Sequence, residues 1–294
     1  NFTNTGLIKQ GDPTNGTNND YRYNVDAGDS TDEINFTNSG TIQSARTVFI
    51  LGGSTNFTLT NSGTIKEDGY GVDYPEINSF GKNNVSDENA GTWYTYSTIA
   101  VGTSGSGATI INSGTISAVG VNHHGITIGD DAEDAAHNNA TIENSGTISG
   151  GSDDFARAII IIPSTSGTIT SGTTIKVKEE AEFTGGIDLG KTESTIVLDP
   201  SITKDITIKV YNYDGDLTIT NNLTGNDTYS ITEEDLDSDG DTDDGTLTIL
   251  GEDLEIAQNN PKYRSENVVT KLRGLFNAAN YITWHFPEDK MFKI

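Results

Sequence analysis

The sequence predicts an all-β protein, a parallel β-helix (solenoid) followed by a short C-terminal helix. Three observations carry this expectation. A seven-residue phrase recurs as FTNTGLI at 2–8, FTNSGTI at 36–42, LTNSGTI at 59–65, IINSGTI at 110–116 and IENSGTI at 142–148, with a worn STSGTI at 164–169. The shortest intervals between its glycines, from Gly40 to Gly63 and from Gly146 to Gly167, match one coil of a solenoid. Hydrophobic residues make up only 33% of the chain, yet Ile, Val, Leu and Phe fall in short alternating runs, which disordered chains lack.

Within the phrase, parity assigns the faces. Phe36, Asn38, Gly40 and Ile42 share one parity, while Thr37, Ser39 and Thr41 share the other. Side chains alternate across an extended chain, so Phe36 and Ile42 point inward and the hydroxyl residues meet water. Asn-Ser-Gly is turn chemistry: asparagine tolerates the left-handed region and glycine needs no room for a Cβ. The phrase therefore reads as strand, tight bend, strand, a corner stacked on copies of itself with Asn over Asn and Ile over Ile. Ladders of that kind stabilise stacked strands. Propeller blades or sandwich modules would repeat at longer, more even periods.

Residues 1–170 form this phrase-bearing solenoid, with looped-out insertions between the corners. The largest interval, from Gly63 to Gly114, fits two coils or one coil with an insertion rich in Tyr, Asn and Gly at 68–96. Residues 171–258 lose the phrase but keep the rhythm. TIKV, TIVL, TIKV, LTIT and LTIL, lying between 173 and 251, read as successive strands of the same solenoid with shorter turns. Residues 259–294 change character, holding six basic and three acidic residues. Ser265 can cap a helix over 265–281, on which Val268, Leu272, Leu275 and Ala279 recur at helical spacing. That helix would either cap the open end of the solenoid or link it to a further domain.

The chain carries 43 acidic against 17 basic residues, a net charge of −26, and no cysteine. Such a charge repels nucleic acid and anionic membranes and attracts divalent cations; it also keeps an extracellular protein in solution. Thiol nucleophiles, zinc–thiolate sites and disulfides are excluded. No run of ~18 apolar residues is present to cross a bilayer as a helix.

Several stretches could carry chemistry. DLDSDGDTDDG at 235–245 alternates Asp235, Asp237, Asp239, Asp241 and Asp243 around Gly240. Calcium takes six to eight oxygens, and alternating aspartates in one short loop supply them, so calcium is the cofactor this loop suggests. Position twelve of the loop is Thr246 rather than glutamate, and strands flank it, so an EF-hand is not expected. A solvated acidic insertion is the competing reading. His123, His124 and His137 flank Asp130, Asp131, Glu133 and Asp134, but at no known metal-site spacing. Asp153 and Asp154 near Arg157, and Glu179 and Glu180 near Lys176 and Lys178, are the nearest approach to a hydrolase or lyase set. Each acidic pair is sequential, which sends its members to opposite faces, so these read as solvated surface charge.

Taken in order, the NSGTI phrases, the series GGIDLG, TIVLDPSI, DITIKVYN and LTITNNLTGNDTY, and finally YRSENVVTKLRGLFNAANYI resemble the passenger of a bacterial type V autotransporter. The resemblance implies a right-handed parallel β-helix, a more regular folding-promoting segment, and a helix leading to an outer-membrane barrel. It implies a translocator barrel in the full-length precursor, with this chain as the exported passenger at the bacterial cell surface or outside the cell. The expected role is non-catalytic: a structural or adhesive β-helix whose partners are surface glycans or proteins. A self-assembling subunit of an extracellular filament, pairing with copies of itself, is the alternative; a carbohydrate-active enzyme is the third reading.

Overall fold

In the computed structural model of the chain, the described residues are 1–9, 25–26, 33–44, 48–51, 57–67, 97–101, 107–120, 123–129, 140–152, 154–162, 172–213, 217–224, 228–238, 240 and 242–250. They form a parallel β-solenoid in which each coil gives one strand to each of three sheets. The first coil holds β1 (Phe2–Asn4), β2 (Leu7–Lys9) and β3 (Val25–Asp26). The second holds β4 (Ile34–Asn38), β5 (Thr41–Ser44) and β6 (Phe49–Leu51); the third, β7 (Phe57–Asn61), β8 (Thr64–Glu67) and β9 (Ser97–Val101). The fourth holds β10 (Thr109–Asn112), β11 (Thr115–Ser117) and β12 (His124–Ile128); the fifth, β13 (Thr141–Asn144), β14 (Thr147–Ser149) and β15 (Ile159–Ile161). The sixth holds β16 (Thr174–Val177), β17 (Glu182–Thr184) and β18 (Ile187–Asp188). The seventh gives only β19 (Thr195–Leu198) and β20 (Ile206–Tyr211), and β21 (Ile219–Asn221), β22 (Thr228–Glu234) and β23 (Asp244–Leu250) close the described chain.

Sheet A takes the first strand of every coil, in the order β1-β4-β7-β10-β13-β16-β19-β21; sheet B runs β2-β5-β8-β11-β14-β17. Sheet C runs β3-β6-β9-β12-β15-β18-β20-β23-β22. Every pairing in sheets A and B is parallel. The core is one continuous cluster fed by all three sheets. Ile42, Ile65, Ile116 and Ile148 stack in register from sheet B, while Leu59, Ile110, Ile142, Ile175 and Ile196 do so from sheet A. All are buried, and each contributes about 1.5–3 kcal/mol of hydrophobic stabilisation.

The phrase performs as its parity predicts. Asn4, Asn38, Asn61, Asn112 and Asn144 pair in register and form a buried amide ladder. Each Nδ2 donates to the Oδ1 of the next, at 2.8, 2.7, 2.8 and 2.8 Å. None of these asparagines takes a positive φ. They are selected for the ladder and not for a left-handed bend, which corrects the turn chemistry expected of them. The glycines are required by close approach: a Cβ on Gly40, Gly63, Gly114 or Gly146 would stand closer than 3.0 Å to the glycine carbonyl of the preceding coil.

Three details of the expected organisation change. Asn61 pairs directly with Asn112, so the largest interval is one coil, with the insertion at 68–96 between β8 and β9. In sheet A the strand after β13 is Thr174–Val177: Thr174 and Ile175 pair with Thr141 and Ile142, and Val177 stacks on Asn144, while STSGTI at 164–169 lies outside the described residues. GTLTILG at 245–251 does not begin another coil, because β23 runs antiparallel to β20 and forms a hairpin with β22. The helix expected over 265–281 lies outside the described residues.

Length variation between the described strands is greatest around sheet C. The connection from sheet A to sheet B is two residues in each of the first five coils, whereas the long connections all enter or leave sheet C. Ala100, Thr127 and Ile160 alternate with the core residues of β9, β12 and β15, yet they are buried too. The middle of sheet C is thus covered on both faces, and its strands read as near-continuous apolar runs.

Candidate functional site

The acidic stretch at 235–243 joins the two strands of the terminal hairpin, whose register pairs Glu234 with Asp244. Carboxylate oxygens of Asp235, Asp237 and Asp244 lie within 4.8 Å of one another. Asp243 turns elsewhere, its Oδ2 standing 2.7 Å from Lys191 Nζ. Asp239 and Asp241 lie outside the described residues. Asp235 and Asp237 therefore come together, Asp243 does not join them, and Asp244, which the alternation passed over, completes the group.

Asp244 is the anchor of this loop. Its Oδ1 accepts from Asn212 N at 2.8 Å, and its Oδ2 accepts from Leu236 N and Asp237 N at 3.1 and 3.2 Å. Burial raises its pKa, and the backbone bond from Asn212 partly offsets that. With three N–H groups on its oxygens, Asp244 offers a cation little; Asp235 and Asp237 are the carboxylates placed to hold one. A calcium shell needs further oxygens, from water or from the rest of the loop.

A second polar group is buried beside the strands of sheet C. Glu67 is fully buried at the end of β8, where its Oε2 accepts from Val119 N at 3.3 Å and stands 2.9 Å from His123 Nδ1. His124 Nδ1 accepts from Arg157 N at 3.1 Å. Burial, then the positive charge of Arg157, hold His124 down to a pKa of about 3, so it is a neutral acceptor. Arg157 donates through Nη1 to Asp154 O at 2.6 Å, and its guanidinium sits 3.7 Å from the centre of the Tyr211 ring. Asp188 accepts from Gly190 N at 3.0 Å and from Asn212 Nδ2 at 3.1 Å; burial pushes it up to about 6, against the pull of Arg157.

These contacts revise two expectations. His123 and His124 are both engaged by protein groups, and His137 and the 130–134 acidic run lie outside the described residues. Arg157, read from the sequence as surface charge, is only 5% exposed; the sequence signal that could have found it is the glycine pair Gly150-Gly151, which lets the 150–157 segment pack tightly. Glu179 and Glu180 stay on the surface, bonded to Thr203 and Lys204. Lys176 and Lys178 instead clamp Glu143, each at 2.6 Å, and their hydrogen bonds, Lys176 first, lower its pKa.

An open groove of about 790 Å³ lies where the seventh coil gives no strand to sheet B. Thr115, Thr147, Glu180, Glu182, Lys204 and Asp205 are among its lining residues. Thr147 Oγ1 donates to Glu182 Oε2 at 3.1 Å, and Lys204 reaches Glu180 at 3.1 Å. The groove presents hydroxyl and carboxylate groups on a rigid sheet. That is binding chemistry for polar ligands.

No family model, curated protein or solved structure matches the chain.

Proposed function

We propose that the chain is a non-catalytic, extracellular or bacterial cell-surface β-solenoid, an adhesive passenger of the autotransporter type. Its partners are surface glycans or proteins. One observation carries the reading: in the first five coils a fixed two-residue corner joins sheets A and B, while every long connection between described strands borders sheet C. A constant frame with variable segments gathered on one side is how recognition surfaces are built on rigid scaffolds. The connection at 68–96 brings Tyr70, Tyr74, Phe80, Trp93, Tyr94 and Tyr96 among Asn and Asp residues, a composition suited to stacking on sugars and hydrogen-bonding their hydroxyls. Calcium, held through Asp235 and Asp237, serves in this reading to brace the terminal hairpin.

The test is binding of the purified chain to arrayed glycans, matrix proteins and intact cells, beside a variant carrying Trp93→Ala, Tyr94→Ala and Tyr96→Ala. Saturable binding that the variant loses, with the glycans recovered intact, is the expected result. Turnover of a bound polysaccharide would replace this reading with the enzymatic one.

A further inference from the structure

The groove beside the edge of sheet B gathers hydroxyls and carboxylates in a regular order. It follows the solenoid from the fourth coil to the seventh, three coil-to-coil steps or ~14 Å at the usual ~4.8 Å between strands. Its floor is a rank of hydroxyls. Thr115 and Thr147 pair in register on β11 and β14, Glu182 follows in the same rank on β17, and Ser113 and Ser145 stand two residues earlier at the corner. Between serine and threonine lie Gly114 and Gly146, which close stacking obliges to be glycine, so the floor there is bare backbone. Carboxylates outnumber cations along this floor. Glu180, Glu182 and Asp205 face one ammonium, that of Lys204, which already stands 3.1 Å from Glu180. Thr147 Oγ1 donates to Glu182 Oε2 at 3.1 Å, which orients that carboxylate and leaves Oε1 for a ligand. Asp205 is exposed, and among the described residues no hydrogen bond or ion pair engages its carboxylate.

We infer that the groove is a binding site for a linear amino-sugar oligomer: its ammonium groups meet Glu182 and Asp205, and its ring hydroxyls exchange hydrogen bonds with Ser113, Thr115 and Thr147. The inference rests on the glycan-binding reading above and assigns to it a site that none of the aromatic residues of 68–96 lines. Hydroxyl side chains both donate and accept, as sugar hydroxyls do, and their repeat along the axis is close to the length of one sugar in an extended chain. Charge then selects among sugars. Two carboxylates in excess, on a protein of net charge −26, repel acidic sugars, give neutral sugars no ionic contact and attract a sugar that bears an ammonium group. Exposed ion pairs contribute little singly, so affinity comes from several sugars engaging successive coils together.

The probe is the β-1,4-linked glucosamine tetramer, titrated into the intact chain by calorimetry in mildly acidic, low-salt buffer, where its amines are protonated. Saturable binding is expected, about tenfold weaker for the N-acetylated tetramer, which keeps the chain length and ring hydroxyls but loses the charge. Asp205→Asn with Glu182→Gln is expected to weaken binding about tenfold at an unchanged melting temperature. Glu33→Gln with Glu193→Gln, an equal loss of charge at exposed positions outside the groove, is expected to leave binding as it is. Thr115→Val keeps the shape and removes the hydroxyl, and is expected to weaken binding about threefold. Spermine binding as tightly as the tetramer would overturn the proposal, since charge alone would then suffice, and so would equal weakening by the two double variants. Loss of tetramer binding in the variant altered at Trp93, Tyr94 and Tyr96 would move the ligand to that connection and overturn the groove. Glycan binding on the arrays with no tetramer binding up to millimolar concentration would overturn the groove alone and leave the adhesive reading standing; no binding in either assay would overturn both.

Discussion

Replacing Asn61 by alanine should cost the protein about 3–5 kcal/mol, about 1 kcal/mol more than the same change at Asn4. Asn61 lies in the middle of the ladder and is fully buried. Its Oδ1 accepts from Asn38 at 2.7 Å, and its Nδ2 donates to Asn112 at 2.8 Å, with longer contacts to Thr115 O and Gly63 O at 3.2 and 3.3 Å. Alanine removes two amide–amide bonds at roughly 1 kcal/mol each and deprives the buried Oδ1 of Asn112 of its ladder donor, a further ~1–3 kcal/mol. Asn38 suffers less, because its Nδ2 retains Gly40 O and Thr64 O at 3.3 Å each. Asn4 has one ladder neighbour only; Asn4→Ala forfeits one such bond and likewise deprives the buried Oδ1 of Asn38 of its ladder donor, roughly 2–4 kcal/mol in all. Urea unfolding followed by far-UV circular dichroism gives both values from the midpoints at constant slope. An Asn61→Ala protein no less stable than Asn4→Ala would refute the ladder as a source of stability and leave it a consequence of register alone.

The other predictions concern packing, protons and calcium. Gly63→Ala places a methyl group against the Gly40 carbonyl and should destabilise by roughly 1–3 kcal/mol, read in the same urea assay; a neutral result would mean that the corner relaxes freely. Asp188 titrates near 6 when folded against 3.8 unfolded, so its contribution is favourable in acid and is lost as pH rises through about 6. Asp188→Asn should therefore gain stability relative to the parent between pH 5 and 7.5, by roughly 1–3 kcal/mol, and a gap independent of pH would count against burial as the cause. His124, held near 3 against 6.5, has the opposite sign: stability present above pH 6.5 falls away as pH drops toward 3, and His124→Asn should flatten that acid limb. Millimolar calcium should raise the melting temperature, with magnesium a poor substitute, and Asp235→Asn with Asp237→Asn should abolish the rise. Melting curves that ignore both calcium and chelator would leave the loop a solvated turn.

How much of this was legible depended on whether a pattern repeated. Phe36 and Ile42 are legible as interior because one parity recurs in every copy of the phrase, and stacking then enforces what local propensity only suggests; the burial of Asn38 in an amide ladder is not, since its residue type reads equally as a turn. Val177 was not legible as the sixth corner position. Thr-Ile at 168–169 and Thr-Ile at 174–175 look alike in sequence, and only register with Thr141 and Ile142 chooses between them. Strand direction was invisible for a similar reason: the alternation in LTIL at 247–250 is the same read forward or backward, so β23 passed for a coil. At the candidate site, five alternating aspartates announced an acidic loop, but the Asn212 amide decides that Asp244 anchors it. Arg157 was misjudged because burial of a charge is a tertiary event, here answered by the Tyr211 ring and a backbone carbonyl.

The two ends of the described solenoid are unlike, and that bears on the filament alternative. Sheet A ends on β21, the strand that follows β19, whereas sheet C continues past β20 with β23 and then β22. A second copy stacked head to tail would lay its β1 on β21, which carries Ile-Thr-Asn in the rank of Phe2-Thr3-Asn4. Its β3 would then have to occupy the place in sheet C that β22 already fills. The antiparallel hairpin thus acts as a stop for parallel growth, and it does so with alternating exposed residues along β22, Thr228, Ser230 and Thr232, and with Glu233 and Glu234 at its end. Charged and hydroxyl side chains on a terminal strand are a common way to discourage edge-to-edge pairing. Parallel growth past the hairpin of β22 and β23 is therefore disfavoured among the described residues. Micrographs of the native protein showing long head-to-tail fibres would contradict this, and shortening them by removing 228–250 would not restore it, since a stop cannot be a requirement for growth.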